Sequence, residues 1–209
     1  MADPEWLFLA REAQAIAQTG LTYCSNDYDR ERYEQLRHLA ARMVALHGDV
    51  SPRRIEALFA RESGYATPKI DVRTALFDSG GRLLMVRERM DSDRWTLPGG
   101  WADVTDTPAG NALRELREES GYEGEIVKLA AVWDRAKQGH APDFFACAKL
   151  FFVARLTGGA ARPSIETSEV AWFARDAIPA DLSTGRVLPG QIARMFEHHA
   201  HPELPTDFD

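Results

Sequence analysis

A chain of 209 residues is long for one ordinary domain and short for two large ones. Its 44% hydrophobic and 27% charged residues fit a soluble globular protein, and no apolar run nears the roughly 20 residues that span a bilayer. The net charge of −7, from 25 basic and 32 acidic side chains, argues against a nonspecific grip on long nucleic acids. A small anionic substrate stays open, because a bound cation supplies local positive charge. The opening MADPEWLFLAREAQ has no basic segment and no cleavage site, so a secretory signal is not expected. Cys24 and Cys147 stand alone without CxxC spacing and read as reduced thiols of a cytoplasmic protein.

In chain order, residues 3–20 read as a helix. Asp3-Pro4 starts it, Trp6, Leu7, Leu9, Ala10, Ala13, Ile16 and Ala17 give the apolar spacing, and Gly20 stops it. A second helix runs from about Tyr28 to His47, with Leu36, Leu39, Ala40, Met43 and Val44 at helical intervals. A third starts at Ser51-Pro52, contains Ile55, Leu58 and Phe59, and ends at Ser63-Gly64. Three helices of this size bury little core and call for support from a neighbouring domain or a second subunit. The first 66 residues carry 8 basic and 10 acidic side chains, a balance that disfavours a winged or helix-turn-helix DNA reader.

From Tyr65 the pattern changes. Residues 70–77 (IDVRTALF) and 82–88 (RLLMVRE) read as strands joined through Asp78-Ser79-Gly80-Gly81, a hairpin signal. A short strand at Trp95–Leu97 enters Pro98-Gly99-Gly100. Further strands are expected near 125–134, 146–155 and 169–174, and a last helix at about Pro189 to His199. Strands alternating with two helices imply an α/β/α sandwich around a mixed sheet, here preceded by a small helical N-terminal domain. The expected domains are 1–66, for dimerisation or substrate cover, and 67–209. The tail HPELPTDFD reads as a poorly ordered or surface-draped end.

The most informative stretch is Gly100 to Tyr122, GWADVTDTPAGNALRELREESGY. Thr107-Pro108 starts a helix and Gly121 closes it. At about 100° per residue, Ala109, Ala112, Leu113, Leu116 and Ser120 form one small, mostly apolar stripe. Glu115, Glu118 and Glu119 form a second face beside it. Carboxylates at i, i+3 and i+4 repel one another, and a hard divalent cation on that face relieves the repulsion. Glu115 and Glu119 lie about 40° apart around the axis and make the best ligand pair. Glu118 is placed for a second ion or for a base.

These residues resemble the signature of the Nudix hydrolases, G-x5-E-x7-R-E-U-x-E-E-x-G-U, where U is aliphatic. Gly100, Arg114, Glu115, Leu116, Glu118, Glu119 and Gly121 match in register. Asp106 replaces the first glutamate and Tyr122 the final aliphatic residue. The first acid is largely supportive in that family, so Asp106 touches fine geometry rather than activity. The segment GLTYCSNDYDRERY is similar to the helical domain ahead of Nudix domains that act on X-linked nucleoside diphosphates.

The resemblance implies magnesium or manganese held by Glu115, Glu119 and Glu118, with the Gly100 carbonyl completing the shell. Arg114 would orient the glutamates. The general base is Glu118 or a loop acid of PSIETSEVAWF, where Glu166 is preferred to Glu169. Arg87, Arg135 and Lys137 are candidate phosphate contacts, Trp101 a candidate stacking face, and His140 a candidate in the covering loop. Each reads equally as an ordinary surface or packing residue. His198, His199 and His201 lack a zinc partner at suitable spacing and read as a solvated helix end.

The expected activity is hydrolysis of a nucleoside diphosphate linked to X, such as ADP-ribose or a CDP-alcohol, by a homodimer with no membrane or long nucleic-acid partner. A house-cleaning triphosphate pyrophosphatase and an inactive ligand sensor are the rival readings.

Overall fold

Three helices open the computed structural model, which describes residues 3–209. Met1 and Ala2, part of the expected first domain, lie outside the described residues. The chain divides into a first unit that runs to Pro68 and takes in Pro142–Ala146, and a second formed by Lys69–Ala141 and Cys147–Asp209.

In the first unit, α1 (Glu5–Tyr23) continues past Gly20. The glycine is there for packing and not as a stop: a Cβ at this position would sit 2.3 Å from the Tyr33 ring. Asn26 starts α2 (Asp27–Ala45), its side chain accepting from the Asp29 N–H at 2.8 Å. Helix α3 (Pro52–Phe59) is shorter than its sequence pattern suggests. The core is small, as expected: Ala40, Ala41, Ile55 and Phe59, completed by Phe144 from the 142–146 excursion. Phe144 stacks on Phe59 with ring centroids 4.3 Å apart, and Arg11 Nε donates to its carbonyl at 2.9 Å.

The second unit is built on one seven-stranded mixed sheet. Its strands are β1 (Lys69–Phe77), β2 (Leu83–Glu88), β3 (Arg94–Thr96), β4 (Tyr122–Asp134), β5 (Cys147–Gly159), β6 (Thr167–Phe173) and β7 (Asp207–Phe208). They are ordered β3-β2-β1-β5-β4-β7, with β6 also paired to β2. Strand β1 runs parallel to β5 and antiparallel to β2. Alternation along β1 sends Leu76 towards α4 (Pro108–Ser120), where it packs with Leu116. Ala75 and Phe77 go to the other face, against Ile192, Met195 and Phe196 of α5 (Pro189–Ala200). The result is the expected α/β/α sandwich.

At the C-terminal end the tail is surface-draped but not poorly ordered, and the histidines of α5 depart from expectation in part. The tail is tied down: β7 pairs with β4, Thr206 Oγ1 donates to Leu129 O at 2.8 Å, and Asp207 takes Arg194 in a fork at 2.5 and 2.8 Å. Of the three histidines expected at a solvated end of α5, only His201 is exposed. His198 is fully buried with Nε2 3.2 Å from Asp207, and His199 stacks on Phe77 at 4.0 Å. A two-residue strand held by side chains of another helix leaves no periodic trace in sequence.

Candidate active site

Helix α4 begins as the sequence demands. Thr107 Oγ1 accepts from the Gly110 N–H at 3.0 Å, Pro108 fills the first turn, and Gly121 ends the helix at φ 77°. Asp106 closes over this start, its Oδ1 accepting from Thr107 N at 2.6 Å. A side chain at Gly110 would collide with its carboxylate at 2.3 Å. Asp106 therefore serves the helix N-terminus, where negative charge is favoured.

The segment before α4 lies along β1. Thr74 N donates to Pro98 O, Val72 N to Gly100 O and Ala102 N to Ile70 O, at 2.8–2.9 Å. Gly99 has φ 146°, and a Cβ there would meet Val72 O at 2.0 Å, so no other residue fits. This close approach aims the Gly99 N–H at Glu119 Oε2, 2.9 Å away, and sets Gly100 against Glu115, whose carboxyl carbon would lie 3.4 Å from an added Cβ. One lone pair of the Gly100 carbonyl is thus taken by Val72 N, and one is left.

The carboxylates differ sharply in setting. Glu119 is buried at 5% exposure; burial pushes its pKa up to about 7, against the pull of Arg73 and the Gly99 N–H, with Glu115 and Glu88 adding repulsion. Burial also raises Glu115, opposed by Arg114 and reinforced by the Glu118 and Glu166 carboxylates. Arg114 forks between Glu115 Oε1 at 2.7 Å and Glu118 Oε2 at 2.9 Å, and also donates to Asn111 Oδ1. It thus ties the two carboxylates to each other and to Asn111.

A buried and a half-buried carboxylate that resist their own charge, beside a carbonyl with a free lone pair, suit a hard divalent ion in chemistry. They are not drawn to one point: among the described residues no three His, Cys, Asp or Glu side chains converge on a metal position. Arg114 and the Gly99 N–H hold them instead.

Glu166 lies in the loop before β6, where its charge adds to the rise of the Glu115 pKa. Its carbonyl accepts from Arg89 N at 2.9 Å, and its N–H donates to Ser164 Oγ at 3.1 Å. Glu169 sits in β6 and pairs with Arg87 at 3.6 Å. Arg87 itself turns to the α5 side, 5.1 Å over the Trp95 ring and 3.1 Å from Asp181, which takes it away from the α4 carboxylates. Trp101 is 57% exposed on the segment paired to β1. Arg135 and Lys137 form a single turn after β4. His140 is buried, with Nδ1 2.8 Å from Thr184 O and Nε2 without a hydrogen-bond partner; burial lowers its pKa.

One cluster escaped the sequence reading. Arg73 takes Asp71 in a buried fork at 2.9 and 2.7 Å and donates to Leu97 O, while Lys149 reaches Asp71 Oδ1 at 2.8 Å. Two cations thus hold one carboxylate beneath the Gly99–Gly100 segment, and Arg73 extends its field to Glu119. The signal was the pair of charges at alternate positions of IDVRTALF, both on the inward face.

The mixed sheet and the acidic face of α4 are the features by which the chain compares with a class of hydrolases. Residues 67–191 match the NUDIX domain, and residues 4–59 match the UDP-X-like N-terminal oligomerisation domain. The chain belongs to the Nudix hydrolase family. It is 40% identical over 205 residues to YjhB of Bacillus subtilis, provisionally named an ADP-ribose pyrophosphatase, covering 98% of this chain and 97% of that protein. A UDP-X diphosphatase structure aligns over all of both chains at 29% identity with a TM-score of 0.62. An ADP-ribose pyrophosphatase from Streptococcus suis aligns at 33% identity and TM-score 0.61, over 68% of this chain and 100% of that one.

Proposed function

We propose that the protein hydrolyses the pyrophosphate bond of a nucleoside diphosphate linked to X, with ADP-ribose or a CDP-alcohol as substrate, to a nucleoside monophosphate and X-phosphate. The observation that carries this reading is the acidic face of α4, where Arg114 joins Glu115 to Glu118 and the Gly99 N–H meets the buried Glu119. Magnesium or manganese would be held by Glu115 and Glu119 with the Gly100 carbonyl, Glu118 being the further ligand; when bound, such an ion neutralises phosphate charge and acidifies water. Arg114 keeps the glutamates in register. Glu166 accepts the proton of the attacking water, the water oxygen bonds to one phosphorus, and the bridging oxygen leaves with the other phosphate. The raised Glu115 pKa, to which Glu166 contributes, supports placing that base near the ligands.

The X-linked class is supported by the helical unit ahead of the sheet and by the names of the relatives at 40% and 33% identity. Remote contacts to a two-ended substrate position the scissile bond. A side-by-side panel read by product chromatography tests it. The value of kcat/KM for ADP-ribose or a CDP-alcohol is expected to exceed that for any nucleoside triphosphate about tenfold or more, equivalent to about 1.4 kcal/mol in the transition state. Preferential release of pyrophosphate from triphosphates would overturn the assignment.

The matched oligomerisation domain supports a homodimer formed through the helical unit, which exposes Phe8 at 62% and Leu46 at 80%. Light scattering is expected to give twice the chain mass; a monodisperse monomer would contradict it. Two unpaired cysteines, with the buried Cys147 thiol pushed up to about 11, support a reducing, cytoplasmic setting. Among the described residues no helix is long and apolar enough to cross a membrane.

A further inference from the structure

The last carbonyls of a helix have no partner within it, and α4 is no exception. Two of them are taken by the segment that carries Glu166. Arg162 N donates to Ser120 O at 2.8 Å, and Thr167 Oγ1 donates to Glu119 O at 2.7 Å. Thr167 is fully buried, so this bond forms away from water. We propose that Thr167 is a positioning residue, whose hydroxyl hitches the Glu166 loop to Glu119 and so fixes the base relative to the α4 carboxylates. The inference rests on the reading of Glu166 as the base.

The hitch extends to Glu166 through Ser164. Ser164 N donates to Thr167 Oγ1 at 3.0 Å, so one hydroxyl accepts from the loop while its proton goes to the helix. Ser164 Oγ in turn accepts from Glu166 N at 3.1 Å and from Thr167 N at 3.2 Å. From the β2–β3 turn, Arg89 N donates to Glu166 O at 2.9 Å, and Asp93 Oδ1 accepts from Ser168 Oγ at 2.5 Å. The Glu166 backbone is thereby held at its N–H and at its carbonyl, while its side chain is exposed.

Glu119 is held at both ends too, its carboxylate by the Gly99 N–H and its carbonyl by Thr167. The two acids are thus joined by a short path of hydrogen bonds that runs through one buried hydroxyl. The Glu166 charge acts on Glu115, one turn before Glu119, which puts the loop acid on the same side of α4. A shift of about 1 Å between a catalytic group and its target costs on the order of 10^2 in rate. Holding that distance is the work the Thr167 hydroxyl is placed to do.

Thr167→Val keeps the branched shape and removes the hydroxyl, whereas Thr167→Ser keeps the hydroxyl. In the full-length protein with ADP-ribose and magnesium, valine is expected to lower kcat about tenfold or more, with KM within about twofold. Serine should bring kcat back to within about threefold of the parent. In a Glu166→Gln background the valine change should cost less than about twofold, because no base is left to misplace. Hydrogen exchange of the metal-free protein reads the hitch without turnover. The Glu166 amide should exchange about tenfold faster in Thr167→Val and at the parent rate in Thr167→Ser. If the valine variant folds poorly, Ser164→Ala breaks the same path and should reproduce both effects. A valine variant with normal kcat, or with an unchanged Glu166 amide, would overturn the proposal. A loss of equal size in the Glu166→Gln background would overturn it as well, since that marks a purely structural role. Near-normal turnover of Glu166→Gln by itself would instead remove the base from the proposed mechanism, and this inference with it.

Discussion

Glutamine in place of Glu119 is expected to lower kcat by at least about 10^2, and Glu115→Gln to do the same, since each removes charge that acts on the transition state. Asp106→Asn should cost far less, because its carboxylate serves the start of α4. The Glu119 effect has a thermodynamic counterpart. Its folded pKa of about 7 lies above the ordinary 4.5, so the folded state holds this proton better than the unfolded chain does. The stability it contributes is fully present below about 4.5 and is lost as pH rises through about 7. In metal-free protein the loss amounts to about 3 kcal/mol across that window. A divalent ion binds the anionic form, so it should raise Tm more at pH 8 than at pH 5. The glutamine variant should show neither the pH-dependent loss nor the metal increment. Thermal melts across pH, with and without metal, check both; an unchanged metal increment in Glu119→Gln would remove it from the ligand set.

Asp71→Asn is expected to destabilise the fold by about 3–5 kcal/mol, the cost of leaving buried charge uncompensated. Arg73 and Lys149 would then face each other with no carboxylate between them. Despite its burial, the two cations hold the Asp71 pKa below its ordinary value. Its contribution is therefore present above that ordinary value and is lost as pH falls through the folded one. Lys149→Met should cost less, because the Arg73–Asp71 fork survives. Urea denaturation of both variants gives the comparison. A cost within about 0.5 kcal/mol for Asp71→Asn, typical of a surface change, would show that the cluster does not support the fold.

The carboxylate helix was legible because its information is local. Cap, apolar stripe and acidic face all follow from a 100° step read within one short segment. The charge cluster was not, because its third member comes from another strand. Asp71 and Lys149 become partners only through the parallel register of β1 and β5, which sets them opposite each other. Gly20 misled for a related reason: a glycine in a helix pattern reads as a stop, whereas here it makes room for the ring of Tyr33 on the next helix. The same holds for His198, whose polarity suggested solvent until Asp207 arrived from the tail to meet it. For Arg87 the sequence left a phosphate contact and a surface cation equally open, because strand alternation alone does not say which face carries α4.

The most direct measurement is the cleavage of ADP-ribose by the purified protein with magnesium or manganese, resolved by product chromatography, beside the same reaction after chelation and with Glu119→Gln. The predicted result is AMP and ribose 5-phosphate in equal amounts, lost on chelation, restored by adding the metal back, and reduced at least about 10^2-fold in the variant. Turnover that survives chelation, or that proceeds equally well without the Glu119 carboxylate, would contradict the account.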